Sequence, residues 1–268
     1  MGELKLGLLG GFRLERAGGR SVPVPTKKAK ALLAYLALHG GEPQPRAKLA
    51  GLLWEDSDEP RARESLRQAL KLVRQALSPG CAGSLIAQGD AVLFEPAALS
   101  VDIIDFQRLL ADRGPAQLEL AAELYRGQLL EGFDLGAPEF ESWLATERQR
   151  LNEKALAALE KLLAHHIANN AVECGITIAT RLLALDPLRE SAHRSLMELF
   201  CKQGRHAAAL RQFRVCVEAL KKELGVEPDA ATIALYREIR SNATASRTAQ
   251  QARPGRNRGN STGRPRQL

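Results

Sequence analysis

A chain of 268 residues with 45% hydrophobic and 26% charged residues is long enough for two ordinary domains, each with its own core, and too apolar to be disordered throughout. No apolar run approaches the ~18–20 residues that span a bilayer, and MGELKLGLLGGFRLE lacks a cationic start followed by an apolar stretch, so a cytoplasmic protein with no membrane partner is expected. The formal charge of +7 is unevenly placed: residues 1–96 carry a net +4, residues 97–242 a net −3, and residues 243–268 a net +6 from six arginines. That distribution points to a polyanion as partner for the first third and the tail.

Residues 1–25 alternate apolar and polar with glycine breaks. LKLGLL, FRLER and SVPV read as short strands of a small antiparallel sheet, with AGG at 17–19 as turn material. GLLGG is no dinucleotide loop, because G-x-G-x-x-G is absent. Thr26 is placed to cap a helix whose apolar stripe is Leu32, Leu33, Leu36 and the alanines, and Gly40-Gly41 ends it. A short second helix fits Arg46–Leu53. The third is predicted over 60–77, with Asp58 as its cap and Pro60 in its first turn. SLIA and AVLF, separated by Gln88, Gly89 and Asp90, read as a hairpin. Sheet, three helices and hairpin is the order of a winged helix-turn-helix.

From about 101 to 240 the pattern is almost wholly helical, with LLEGFDLGAPEF at 129–140 as the main interruption. A long helix is expected over 139–169, then helices over 171–185, 188–203, 205–224 and 229–240, joined by short turns such as Asp186-Pro187 and Gln203-Gly204. Helix pairs so closely joined suggest a tetratricopeptide-like stack, a plain helical bundle being the simpler alternative. Residues 243–268 offer almost nothing apolar to bury and are expected to be disordered. The predicted fold is mainly α with a small N-terminal β component. It comprises a winged helix-turn-helix over 1–96, an all-α domain over 97–242 and a basic tail over 243–268.

The third helix is where function concentrates. At 100° per residue Leu66, Leu70, Val73 and Leu77 share one stripe, which Ala62 and Ala69 widen. The other faces carry Arg61, Arg63, Glu64, Arg67, Gln68, Lys71, Arg74 and Gln75. Arg and Lys can pair with guanine O6 and N7, and Gln with adenine N6 and N7, when a helix lies in the major groove. The same side chains could hold only phosphates, and a solvated amphipathic helix is the bland alternative. Position after a helix-turn-helix and before a hairpin favours DNA. Lys27, Lys28 and Lys30 at the start of the first helix, and Arg46 and Lys48 at the start of the second, are candidate backbone contacts. Glu55, Asp56, Asp58 and Glu59 would repel phosphates, so their loop is expected to face away from DNA.

Other chemistry finds little support. Cys81, Cys174, Cys201 and Cys216 have no metal-ligand spacing and read as reduced core thiols. His165 and His166 are adjacent and point about 100° apart, so they do not form an i,i+4 metal pair. No G-x-x-x-x-G-K-[ST] motif occurs. Trp54, Tyr125, Phe133 and Trp143 read as core anchors. With aromatics at 4%, recognition of single strands by stacking is not expected. No enzyme, metal or cofactor is predicted.

Several stretches resemble a known family. LLAYLALHGG and LAGLLWEDSDEPRARESLRQALKLVRQAL are similar to the DNA-binding half of bacterial SARP-type regulators (the antibiotic regulatory protein type). ELYRGQLLEGFD, FESWLATERQRL, LLALDPLRESAHRSLMELF and ALKKELGVEPDAATIALYREI resemble their bacterial transcriptional activator domain. The resemblance covers about 4–240. It implies a winged helix that binds direct repeats in promoter double-stranded DNA and recruits RNA polymerase, and the helical domain is expected to mediate dimerisation or coupling to a partner. In such winged helices the loop between the second and third helices touches polymerase, which here means Trp54, Glu55, Asp56, Ser57, Asp58 and Glu59. Two competing expectations stand beside it: a protein-interaction scaffold that no longer binds DNA, and the regulatory part of a larger or split signalling protein.

Overall fold

The structure is a computed structural model that describes residues 4–16, 18–78, 81–95, 99–112 and 114–251. Packing divides the chain into two compact units, 1–169 and 170–268.

The first unit opens with β1 (Leu4–Gly7), β2 (Arg13–Arg16) and β3 (Arg20–Ser21). Alternation decides which face is covered: Leu4 and Leu6 are buried while Lys5 between them is exposed. Gly18 and Gly19 turn the chain with positive φ, and Ala17 lies outside the described residues. The third strand is shorter than SVPV suggested, because Pro23 and Pro25 have no N–H to give a ladder. The sheet is also not purely antiparallel. A strand not foreseen, β7 (Leu99–Val101), pairs in parallel with β1, Leu4 opposite Leu99, giving the order β3-β2-β1-β7.

Helix α1 (Lys27–Leu38) starts where expected, the Thr26 hydroxyl accepting the Ala29 N–H at 3.1 Å. It is buried around most of its circumference, with every residue from Ala31 to Ala37 inside, so it is the central helix of the unit. Helices α2 (Arg46–Leu53) and α3 (Glu59–Leu77) follow. The Asp58 carboxylate caps α3 through the Arg61 N–H at 3.0 Å, and Leu66, Leu70, Val73 and Leu77 are all buried. The hairpin forms from β5 (Leu85–Gln88) and β6 (Ala91–Phe94), and β6 also pairs with β4 (Gln44–Pro45), a two-residue strand too short to be read from sequence.

Three more helices belong to this unit: α4 (Asp102–Asp112), α5 (Pro115–Leu124) and α6 (Pro138–Ala168). The segment between α5 and α6 zips against the end of β1. Leu130 N–H donates to the Leu8 carbonyl at 2.8 Å, and Glu131 N–H to that of Gly10 at 2.7 Å. Leu130 adopts φ 50, unusual for a residue with a side chain. The Arg148 guanidinium fixes that turn by donating to the Leu129 and Leu130 carbonyls at 2.8 and 2.7 Å.

The second unit is a run of helices, α7 (Val172–Leu185), α8 (Glu190–Lys202), α9 (His206–Glu223) and α10 (Ala230–Gln251), in which α8 packs on α7, α9 on α8, and α10 on both α9 and α8. This is a tetratricopeptide-like arrangement. Its core includes Met197, Ala209 and Ile239. The LGVEP motif forms the α9–α10 turn, Gly225 taking φ 70. Asp229 is held there by the Glu190 carboxylate on its N–H and by the Arg194 guanidinium at 2.7 Å. The last helix continues past 240 because 243–251 contains neither Gly nor Pro and is rich in Ala and Gln. The expected disorder from 252 onward lies outside the described residues.

Candidate nucleic-acid interface

Helix α3 presents a solvent face whose residues were all named above. Arg61, Arg63, Glu64, Arg67, Gln68 and Lys71 are exposed and Arg74 is half-buried. The buried stripe holds the helix against the core, so these side chains project outward from a fixed axis. What the sequence did not show is that much of this face is internally paired. Arg61 meets Asp58 at 3.4 Å, Arg63 meets Glu59 at 2.7 Å and Arg67 meets Glu64 at 2.7 Å. Gln68 also donates to Glu64 at 2.9 Å. Among the described residues, Lys71 and Arg74 take part in no ion pair. Exposed pairs of this kind are each worth about 0.5 kcal/mol, so a phosphate displaces them readily. At the far end of α3, Arg16 donates to the Ser78 carbonyl at 3.1 Å and closes the helix against β2.

The five cations of α1 and α2 are in different situations, and Lys30 is half-buried with its Nζ 5.7 Å from the centre of the Phe12 ring. Lys27 donates to the Asp134 carbonyl at 2.8 Å, so it ties down the segment before α6. Lys28 sits over the Trp54 ring at 4.9 Å, and burial lowers its pKa while Asp56 pulls the other way. Arg46 is half-buried, with its backbone N–H donating to the Asp90 carbonyl at the hairpin turn. Lys48 is exposed and reaches Gln44 at 3.5 Å and the Tyr35 ring at 5.8 Å. Lys48, exposed and held only by long contacts, has the least to give up, while Lys27 and Lys28 have closer partners to leave.

The α2–α3 loop keeps its acids in solvent: Glu55, Asp56, Ser57, Asp58 and Glu59 are all exposed. Trp54 is half-buried under Lys28 and accepts the Ser57 N–H on its carbonyl at 3.0 Å. Glu55 has a second role that sequence did not reveal. Its carboxylate accepts the Glu139 N–H at 3.3 Å, in the first turn of α6, where the helix dipole favours an anion. One turn further on, Trp143 packs on Tyr35 of α1 at 4.9 Å and on Phe140 at 5.2 Å. The helix-turn-helix and α6 therefore share an aromatic contact and a cap. At the hairpin tip Gln88, Gly89 and Asp90 are exposed and none is cationic.

These elements define a winged helix-turn-helix protein with a tetratricopeptide-like second unit. The family described as bacterial transcriptional activator domain matches residues 105–240, just over half of the chain. The chain belongs to that family and is a SARP-type bacterial transcriptional regulator. It is 28% identical over 238 residues to regulatory protein AfsR of Streptomyces coelicolor, a match that covers 85% of this chain and 23% of AfsR. The chain thus spans less than a quarter of that relative. It is 27% identical over 252 residues to the transcriptional regulatory protein MoaR1 of Mycobacterium bovis, covering 89% of this chain and 79% of that one. The structure of Mycobacterium tuberculosis EmbR in complex with a low affinity phosphopeptide shares the fold, with a TM-score of 0.66 and 22% identity over 94% of this chain and 70% of that one. No helix among the described residues is long and apolar enough to cross a membrane.

Proposed function

We propose that this chain is a sequence-specific DNA-binding transcriptional activator. Helix α3 lies in the major groove and reads promoter repeats, with Arg61, Arg63, Arg67, Gln68, Lys71 and Arg74 as donors to bases and phosphates. Lys27, Lys28, Arg46 and Lys48 flank it as backbone contacts, Lys48 the readiest of them. The loop from Trp54 to the α3 cap offers exposed carboxylates to RNA polymerase. Residues 1–96 are the reading domain, 97–242 couple it to polymerase or to a second copy, and the basic tail adds affinity without selectivity. The protein works in the cytoplasm, without a cofactor and without catalysis.

The observation that carries this is the solvent face of α3, cationic and fixed by a fully buried opposite stripe. A binding selection from a random duplex pool tests it. The chain enriches a repeated motif, and Arg67→Glu with Lys71→Glu abolishes the enrichment. No enriched motif from the folded chain moves the function to protein scaffolding by the helices.

A further inference from the structure

Glu64 is the odd residue on α3. Asp58 and Glu59 sit at the helix N-terminus, where capping and the dipole account for them. Glu64 lies beyond the first turn, where neither does. Nine residues before the fully buried Val73, it stands about 180° around the helix from it, at the centre of the solvent face. Its side chain is 51% exposed. One carboxylate oxygen holds Arg67 at 2.7 Å and the other holds Gln68 at 2.9 Å. An exposed pair of this kind adds little stability, so stability does not explain an acid in the middle of a cationic face.

Resting on the reading of α3 as a groove helix, we propose that Glu64 is the specificity filter of that helix. In a major groove a carboxylate can only accept, and cytosine N4 and adenine N6 are the edges that offer a proton. At any other base it meets acceptors while carrying a charge that phosphates repel. Glu64 therefore weakens binding to arbitrary duplex, by its charge and by competing with phosphates for Arg67, whereas a base with an amino group takes the carboxylate over. In the free helix the same carboxylate holds Arg67 at 2.7 Å and Gln68 at 2.9 Å beside the position of the base that Glu64 tests.

The test uses the full chain as wild type, Glu64→Gln and Glu64→Ala, with the Arg67→Glu and Lys71→Glu double variant as control. Both Glu64 variants substitute an exposed helix position with a good helix former. The expected result is threefold or greater tightening on random duplex. The log–log salt slope steepens by up to about 0.9 as Arg67 gains a phosphate. One cytosine- or adenine-preferring position of the selected motif falls from tenfold or greater discrimination to near none. Unchanged random-duplex affinity and an unchanged motif in both Glu64 variants overturn the filter. If the control variant still binds its motif normally in that case, the groove reading falls as well; if it does not, that reading stands and only the filter is lost.

Discussion

Both carboxylate oxygens of Asp102 accept the Leu8 N–H at 2.9 Å, across 94 residues of chain, and one of them also accepts the Leu9 N–H at 3.0 Å. This joins the end of β1 to the first turn of α4, next to the parallel pairing of β1 with β7. Asp102→Ala leaves two buried N–H groups without a partner, at about 1–3 kcal/mol each. A loss of about 2–4 kcal/mol is expected from the urea midpoint of the full chain. Burial pushes the Asp102 carboxyl above its ordinary value, against the pull of the Leu8, Leu9 and Ile103 N–H groups. The folded state therefore binds this proton more tightly than the unfolded one. Its contribution to stability is greatest at acid pH and declines as pH rises through the raised folded value. Asp102→Asn removes that slope.

Arg148 holds a turn that its own backbone does not favour. Its two bonds to the Leu129 and Leu130 carbonyls support Leu130 at φ 50, with both leucine side chains fully buried. Arg148→Ala is expected to lower stability by about 2–4 kcal/mol, since hydrogen bonds to charged groups are worth about 1.5–3 kcal/mol each. Arg148→Lys recovers only part of this, because an ammonium lacks the fork that serves two carbonyls at once. Chemical denaturation of the three proteins side by side measures both effects.

His193 gives the second unit a pH dependence. Its Nε2–H donates to the Pro187 carbonyl at 3.0 Å, which leaves Nδ1 to accept from the Gln212 amide at 2.7 Å. The ring is buried and neutral, and burial lowers its pKa despite the pull of the Pro187 carbonyl, Glu190 and Asp186. The unfolded state binds the proton more readily, so the stabilisation is complete above pH 6.5 and is lost as pH falls from there toward the lowered folded value. Thermal unfolding at pH 7.5 and 5.5 checks this. The difference in Tm shrinks in His193→Gln, which keeps a polar side chain but does not titrate.

Truncation after residue 251 removes five of the six tail arginines. On DNA lacking the selected motif, the log–log salt slope is expected to fall by up to about 0.9 for each phosphate they neutralise. Base preferences stay as they were, because phosphate contacts carry no sequence information. Titrations at several salt concentrations separate the two readouts.

The helices were readable because their information is local. The stripe of Leu66, Leu70, Val73 and Leu77, the caps at Thr26 and Asp58, and the bounds of α2 each depend on residues a turn or two apart. So did the hairpin, whose turn residues adjoin its strands. The list of cations on α3 was complete for the same reason: a helix with one apolar face must expose the other. Sequence alone set the winged-helix order, the helical second half and the cationic face that stays in solvent.

Long-range packing decided the rest. Leu4 pairs with Leu99, and nothing near either residue announces it. Lys27 and Lys28 look alike on paper, yet one is spent on the Asp134 carbonyl and the other on the Trp54 ring. Glu55 belongs to an acidic loop by sequence and to the cap of α6 in space. Arg67 and Glu64 mark the border between the two kinds of information: their three-residue spacing permits a pair, but which neighbour each side chain takes depends on which directions the folded core leaves open. Periodicity fixes which residues face solvent. Only the folded chain assigns them partners, because those partners are brought together by the burial of other residues.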